Sequence, residues 1–210
     1  AETINSEGSL PEYDLMRYPS LKVGFSQEIL PQAIIFLYKG ANIFGEYSLQ
    51  QIDILSPVVF YILGMILFFL LIWSLTSNKW LAFLSSGFLA VIPPYLYRTM
   101  AGFSDHEAIG MFAFFFTLLV LSLSLKYLEK LKKINWQLIL LSLILAFSTI
   151  FSLLSWGGIA KFLFMIIPLS FLLIWLIESK NKGSNSLLPH LNFYLIWVVF
   201  TLIFGEFFSY

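Results

Sequence analysis

"ILSPVVFYILGMILFFLLIWSL", residues 54–75, contains no charged side chain. A soluble helix of that length would keep one polar face. This one is apolar all round, and about 20 apolar residues are what a crossing of the hydrocarbon core requires. Five further runs read the same way, roughly Trp80–Tyr97, Ala108–Leu125, Trp136–Leu154, Ile159–Ile177 and Leu191–Phe208. The composition agrees: 59% of the 210 residues are hydrophobic, 19% aromatic and only 11% charged, with a mean hydropathy of +0.86. The expected fold is an all-α, polytopic transmembrane bundle of about six spanning helices, with membrane lipids as its solvent. Zero net charge argues against a nucleic-acid partner. Without cysteine there is no disulfide framework, thiolate metal site or cysteine nucleophile.

A seventh apolar stretch, Ile29–Phe44, is shorter. Lys39, Gly40 and Asn42 interrupt it, and Pro31 stands near its start. Such a segment is expected to be interfacial or re-entrant rather than spanning. The chain therefore divides into residues 1–53, a polar external loop with one short amphipathic helix, and residues 54–210, the membrane helices. The chain starts at Ala1 and stops just after an apolar run, which reads as a piece of a longer protein.

With six crossings, the loops sort by charge. One side collects Lys79, Lys126, Lys130, Lys132, Lys133, Lys180 and Lys182 against Glu129 and Glu178. The other holds the acidic N-terminal region, the loop at 98–107, the turn at Trp156–Gly158 and the C-terminal end. Lysine and arginine mark the cytoplasmic side, so the 98–107 loop is expected on the outer face. The lysines themselves read as solvated topology anchors. The polar stretch "ESKNKGSNSLLPH", 178–190, reads as a linker between spans.

The 98–107 loop gathers Arg98, Asp105, His106 and Glu107 within ten residues. A helix N-cap at Ser104 or Asp105 explains one acid. It does not call for the other three charged or titratable groups. An acid–x–acid pair at a membrane surface suits Mg²⁺ or Mn²⁺, which take oxygen ligands. His106 lies between the acids and is expected to point elsewhere if the turn is helical. Arg98 reads either as an interfacial anchor or as a partner for Asp105 or a phosphate. Trp156 reads as an interfacial aromatic, and Lys161 as a snorkelling cation.

The string "RTMAGFSDHEAIGMF", 98–112, resembles the second acidic motif of the oligosaccharyltransferase catalytic subunit family. There an Arg-Thr/Ser-x-x-Gly-x-x-Asp-x-Asp/Glu pattern opens a membrane helix on the outer face. Arg98, Thr99, Gly102, Asp105 and Glu107 match it in order and spacing. "LPEYDLMRYPS", 10–20, is similar to the family's first external loop, and "LSWGG", 154–158, to its Trp-Gly-rich turn. The resemblance implies a membrane glycosyltransferase (GT-C-like) fold. It also implies metal-dependent, inverting transfer of a glycan from a polyprenyl-(pyro)phosphate carrier, a dolichol type among them, to asparagine in Asn-x-Ser/Thr sequons. The implied partners are a lipid-linked oligosaccharide and an acceptor polypeptide carrying the sequon.

By that resemblance Asp105 is the catalytic metal ligand and Glu107 the second ligand, for Mn²⁺ or Mg²⁺. Arg98 and Trp156 are expected to contact the donor. A single-subunit archaeal or bacterial type is expected, in the plasma membrane, or in the endoplasmic reticulum if eukaryotic. Asp14 is not counted among the expected site residues. No Trp-Trp-Asp-Tyr-Gly sequon-reading motif occurs in these residues. The 210 residues alone are accordingly expected to be inactive. Rival readings are another polyprenyl-phosphate-using membrane glycosyltransferase, a transporter, or a non-catalytic scaffold. A transporter would place ionisable groups near the bilayer midplane, whereas here they gather at helix ends.

Overall fold

The computed structural model describes residues 1–9, 13–14, 21–22, 29–129, 135–181 and 187–208. Most of the 10–20 string, Lys130, Lys132, Lys133 and Lys182 lie outside them, as do the side chains of Asp14 and Lys180. Among the described residues the chain is helical, apart from one two-residue antiparallel ladder between β1 (Tyr13–Asp14) and β2 (Leu21–Lys22). The helices are α1 (Glu2–Glu7), α2 (Ile29–Ala41), α3 (Leu49–Thr76), α4 (Lys79–Val91), α5 (Pro93–Tyr97), α6 (His106–Leu128), α7 (Trp136–Ser155), α8 (Gly157–Asn181) and α9 (Leu188–Phe208). Five of them, α3 and α6 to α9, are long and apolar enough to cross a membrane.

The expected span Trp80–Tyr97 is not one helix. α4 stops at Ile92, whose extended backbone (ψ 119°) is the conformation favoured before proline. Neither Pro93 nor Pro94 has an N–H, so carbonyls of the last α4 turn lose their helical donors. The Tyr61 hydroxyl of α3 donates to one of them, Ala90 O, at 3.1 Å. This is the usual repair of a broken membrane helix by a neighbour. α5 then starts with proline in its first turn. Together α4 and α5 still run the length of α3. They leave its far end at Ser77 and return to its start, where Gly102 N–H donates to Ile54 O at 2.9 Å. The expected sixth span is two short helices, each below the length that crosses a membrane by itself.

α3 is held at its head by a capping box: Gln51 N–H donates to Ser48 Oγ, and Ser48 N–H donates to Gln51 Oε1. Its tail meets the tail of α6, where the Ser74 and Ser122 hydroxyls are 2.8 Å apart. α6 and α7 occupy the centre: 61% and 50% of their apolar stretches are buried, against 17–22% for α3, α8 and α9. Small and hydroxyl side chains allow this close approach. Thr117 Oγ1 donates toward Ala113 O and, across the interface, Ser148 O, both at 2.9 Å. Trp197 Nε1 of α9 donates to Thr149 Oγ1 at 3.2 Å. Leu121, Leu138, Leu145, Leu163, Ile167 and Phe193 fill the space between.

α2 has 13 residues and fails the length test for a span. It packs at one end of the bundle, with Leu30, Ala33 and Leu37 beside Phe60, Ala108 and Ile109. The short-helix expectation therefore holds. The linker read at 178–190 is shorter than expected, since α8 runs on to Asn181 and α9 begins at Leu188. The polar segments sort to two ends. Asp53, the 98–105 loop and the Trp156 turn share one; Ser77–Lys79, Lys126 and Asn135 share the other.

Candidate functional site at the acidic end of the bundle

The chain turns at Gly102, whose φ of +86° is a left-handed conformation that glycine adopts without strain. The turn is fastened to α3 twice. Besides the Gly102–Ile54 bond, Ser104 Oγ donates to Asp53 Oδ1 at 2.6 Å. At the loop's other end Thr99 is 3% exposed, and its hydroxyl donates back to Tyr95 O at 2.8 Å. The loop is thus anchored on both sides of its charged residues.

Asp105 is the N-cap of α6. Its Oδ1 accepts the His106 N–H at 2.7 Å and lies against His106 Nδ1 as well. Ser104 does not cap; it serves Asp53. His106 therefore does not point away from the acids, as the helical turn had suggested. Its ring meets Trp156 edge-on, with centroids 5.9 Å apart.

Arg98 pairs with Glu107 rather than with Asp105: Nε and Oε2 are 3.1 Å apart. The Glu107 side chain is 18% exposed and that of Arg98 54%. The Oε2 atom is shielded from solvent, and the Arg98 contact lacks hydrogen-bond alignment, so it is an ion pair without a directed bond. The Arg98 guanidinium also lies over the Phe103 ring, 5.2 Å from its centroid. Asp105, at 41% exposure, is the more accessible carboxylate.

Trp156 ends α7 and turns the chain into α8. The expectation of a simple interfacial aromatic understates its packing. A Cβ placed on Gly110 would lie 2.5 Å from Trp156 Cβ, and one on Gly158 would lie 2.9 Å from Trp156 Nε1. The tryptophan fits between α6 and α8 only because both positions are glycine. Lys161 is exposed on the first turns of α8.

Two residues of this region were not singled out from the sequence. Asp53 sits just before the 54–75 run, and its position at the head of a span on the acidic side was the available signal. Gly110 lies in the opening turns of α6, where glycine in a membrane helix marks close approach.

The donor set fits a hard divalent cation in kind: Asp105 and Glu107 bring carboxylate oxygens. It is incomplete in number, because among the described residues no three His, Asp or Glu side chains converge as a cation site.

A family model described as "Oligosaccharyl transferase STT3, N-terminal" matches residues 14–210. No curated protein matches. The match takes in the Arg98–Glu107 loop, the Trp156 turn and every long helix described above. The chain therefore belongs to the oligosaccharyl transferase STT3 family, integral membrane glycosyltransferases that act on lipid-linked oligosaccharides and protein acceptors.

Proposed function

We propose that the Arg98–Glu107 loop is the part of an oligosaccharyltransferase centre that handles the donor's phosphate. The reaction would move a glycan from a polyprenyl-(pyro)phosphate carrier to the asparagine amide of an Asn-x-Ser/Thr sequon, with inversion at the anomeric carbon. One observation carries the reading. Asp105 holds an accessible carboxylate at the head of the central helix, on a loop anchored to α3.

Asp105 and Glu107 would hold Mg²⁺ or Mn²⁺, with water and phosphate oxygens completing the shell. Such an ion supplies charge neutralisation to a phosphate leaving group. The chain's own residues do the rest. Asp53 and Ser104 fix the loop's register on α3, so Asp105 meets its ligand already positioned. Arg98, half exposed beside Glu107, would exchange its carboxylate partner for a phosphate oxygen. Trp156 orders the His106 ring against Asp105 and closes the loop's inner side. The lipid tail stays in the bilayer while its phosphate sits at the interface, which is where the charges are gathered. By the loop sorting, this end faces out of the cytoplasm.

The test is glycan transfer from a lipid-linked oligosaccharide to a sequon peptide by the full-length protein carrying Asp105→Ala. The expected loss is about 10²-fold or more. Activity within a few-fold of the parent would remove Asp105 from the mechanism.

A further inference from the structure

The arginine end of the charged loop hangs from α5, and one side chain holds α5 in place. Between Pro93 and Met100 only Tyr95 and Thr99 are buried. They stand four positions apart on one helical face, and the Thr99 hydroxyl donates to Tyr95 O at 2.8 Å. Leu96, Tyr97 and Arg98 are exposed. The bonds to Ile54 and Asp53 fasten Gly102 and Ser104, which come after Arg98 in the chain. Where Arg98 stands is therefore set by how Tyr95 seats.

The Tyr95 ring enters a slot between α3 and α6. Its centroid is 5.4 Å from that of Tyr61 on α3 and 6.3 Å from that of Phe115 on α6. The slot ends at Gly64. A Cβ there would lie 2.7 Å from the Tyr95 hydroxyl oxygen, too close for any real contact. Its next neighbours, Phe112 Cα and Phe115 Cδ2, would lie at 3.9 Å, an ordinary contact. The hydroxyl thus occupies the space that a side chain at position 64 would take. Among the described residues it has no hydrogen-bond partner. Burying it unpaired is costly; what it contributes is shape, filling the slot down to α3.

We infer that Tyr95, seated on Gly64, is a positioning residue for the donor. It fixes where the Arg98 guanidinium stands beside Glu107, and so where a phosphate oxygen would be met. The inference rests on the phosphate-handling reading of the loop. Arg98 is the C-cap of the five-residue α5 that carries Tyr95. With Tyr61 and Phe115 packed against the ring, a methyl at position 64 would push the whole short helix, and the arginine would move with it.

The experiment measures glycan transfer by the full-length protein from a lipid-linked oligosaccharide to a sequon peptide, with KM taken for each substrate. Arg98→Gln should raise the donor KM about tenfold or more. Gly64→Ala should also raise it about tenfold, with kcat and the peptide KM within about twofold of the parent. Tyr95→Phe removes a hydroxyl that bonds nothing and should behave like the parent. Gly64→Ala combined with Tyr95→Phe should be rescued, because the methyl then takes the hydroxyl's place. Gly64→Ala combined with Arg98→Gln should be no worse than Arg98→Gln alone. If Gly64→Ala does not fold, Tyr95→Leu, which empties the end of the slot, should give the same donor-specific rise. Equal losses for both substrates, no rescue by Tyr95→Phe, or full additivity with Arg98→Gln would make Tyr95 a packing residue and overturn the inference. A donor KM unchanged by Arg98→Gln would overturn the phosphate reading itself, and this inference with it.

Discussion

The two ends of α6 are both polar, and they are built in opposite ways. At its tail Lys126 is exposed and reaches the Ser74 carbonyl, while Tyr127 bonds with Asn135 and Gln137 across the short connection to α7. These groups close helix ends. At its head the partners come from three stretches of chain: Asp53, Arg98 to Gly110, and Trp156. The tail's partners are amide, hydroxyl and ammonium groups from Ser74 of α3 and from the two sides of the α6–α7 connection. Holding a half-exposed carboxylate among partners from three stretches is what a reaction centre needs, because it fixes geometry before the substrate arrives.

The largest effect should come from the metal that the head is proposed to hold. Chelation with EDTA should abolish transfer by the full-length protein, and Mn²⁺ or Mg²⁺ should restore it. Full activity in excess chelator would make the two ends of α6 alike, both merely structural.

Next comes the wedge at Gly110. Gly110→Val forces a side chain into space already held by Trp156 Cβ. Overpacking of this kind costs about 1–3 kcal/mol, so the thermal midpoint in detergent should fall and transfer should fall with it. An unchanged midpoint would mean that α6 and the Trp156 turn are not tightly joined.

The loop's fastening sharpens the comparison further. Asp53→Ala and Ser104→Ala should each lower kcat about tenfold by loosening the position of Asp105. Combined, they should be no worse than either alone, since both break one hydrogen bond. Asp53→Asn keeps an acceptor oxygen and should recover most of the activity. Fully additive losses would show that Asp53 acts by some route other than Ser104.

The smallest effect is expected at the tail. Lys126→Ala is a surface substitution and should shift stability by no more than about 0.5 kcal/mol, with transfer unchanged. A loss as large as that of Asp53→Ala would erase the distinction between the ends.

Hydropathy alone made the long helices and the sorting of polar loops legible, because only uninterrupted apolar runs satisfy the bilayer. It could not show the break at Ile92. Pro93 and Pro94 are compatible with a kinked span, and whether the helix stops depends on a neighbour such as Tyr61 to take up the freed carbonyl. The Arg98–Glu107 string was legible as a charged loop opening a helix, but the pairing within it was not. Arg98 chooses Glu107 over Asp105 because α6 starts at His106 and places Glu107 on the arginine's side. Asp53 and Gly110 stayed hidden for a different reason. Their partners, Ser104 and Trp156, lie dozens of residues away, and no local pattern encodes such a meeting.

Mn²⁺ binding to the full-length protein, followed by electron paramagnetic resonance, asks whether Asp105 holds the ion. The comparison is between the parent and Asp105→Asn, a change that keeps the size and the N-cap acceptor and removes the charge. The parent should show a bound Mn²⁺ signal, and the variant should bind about 10- to 100-fold more weakly. Equal affinity in both proteins would contradict that role for Asp105.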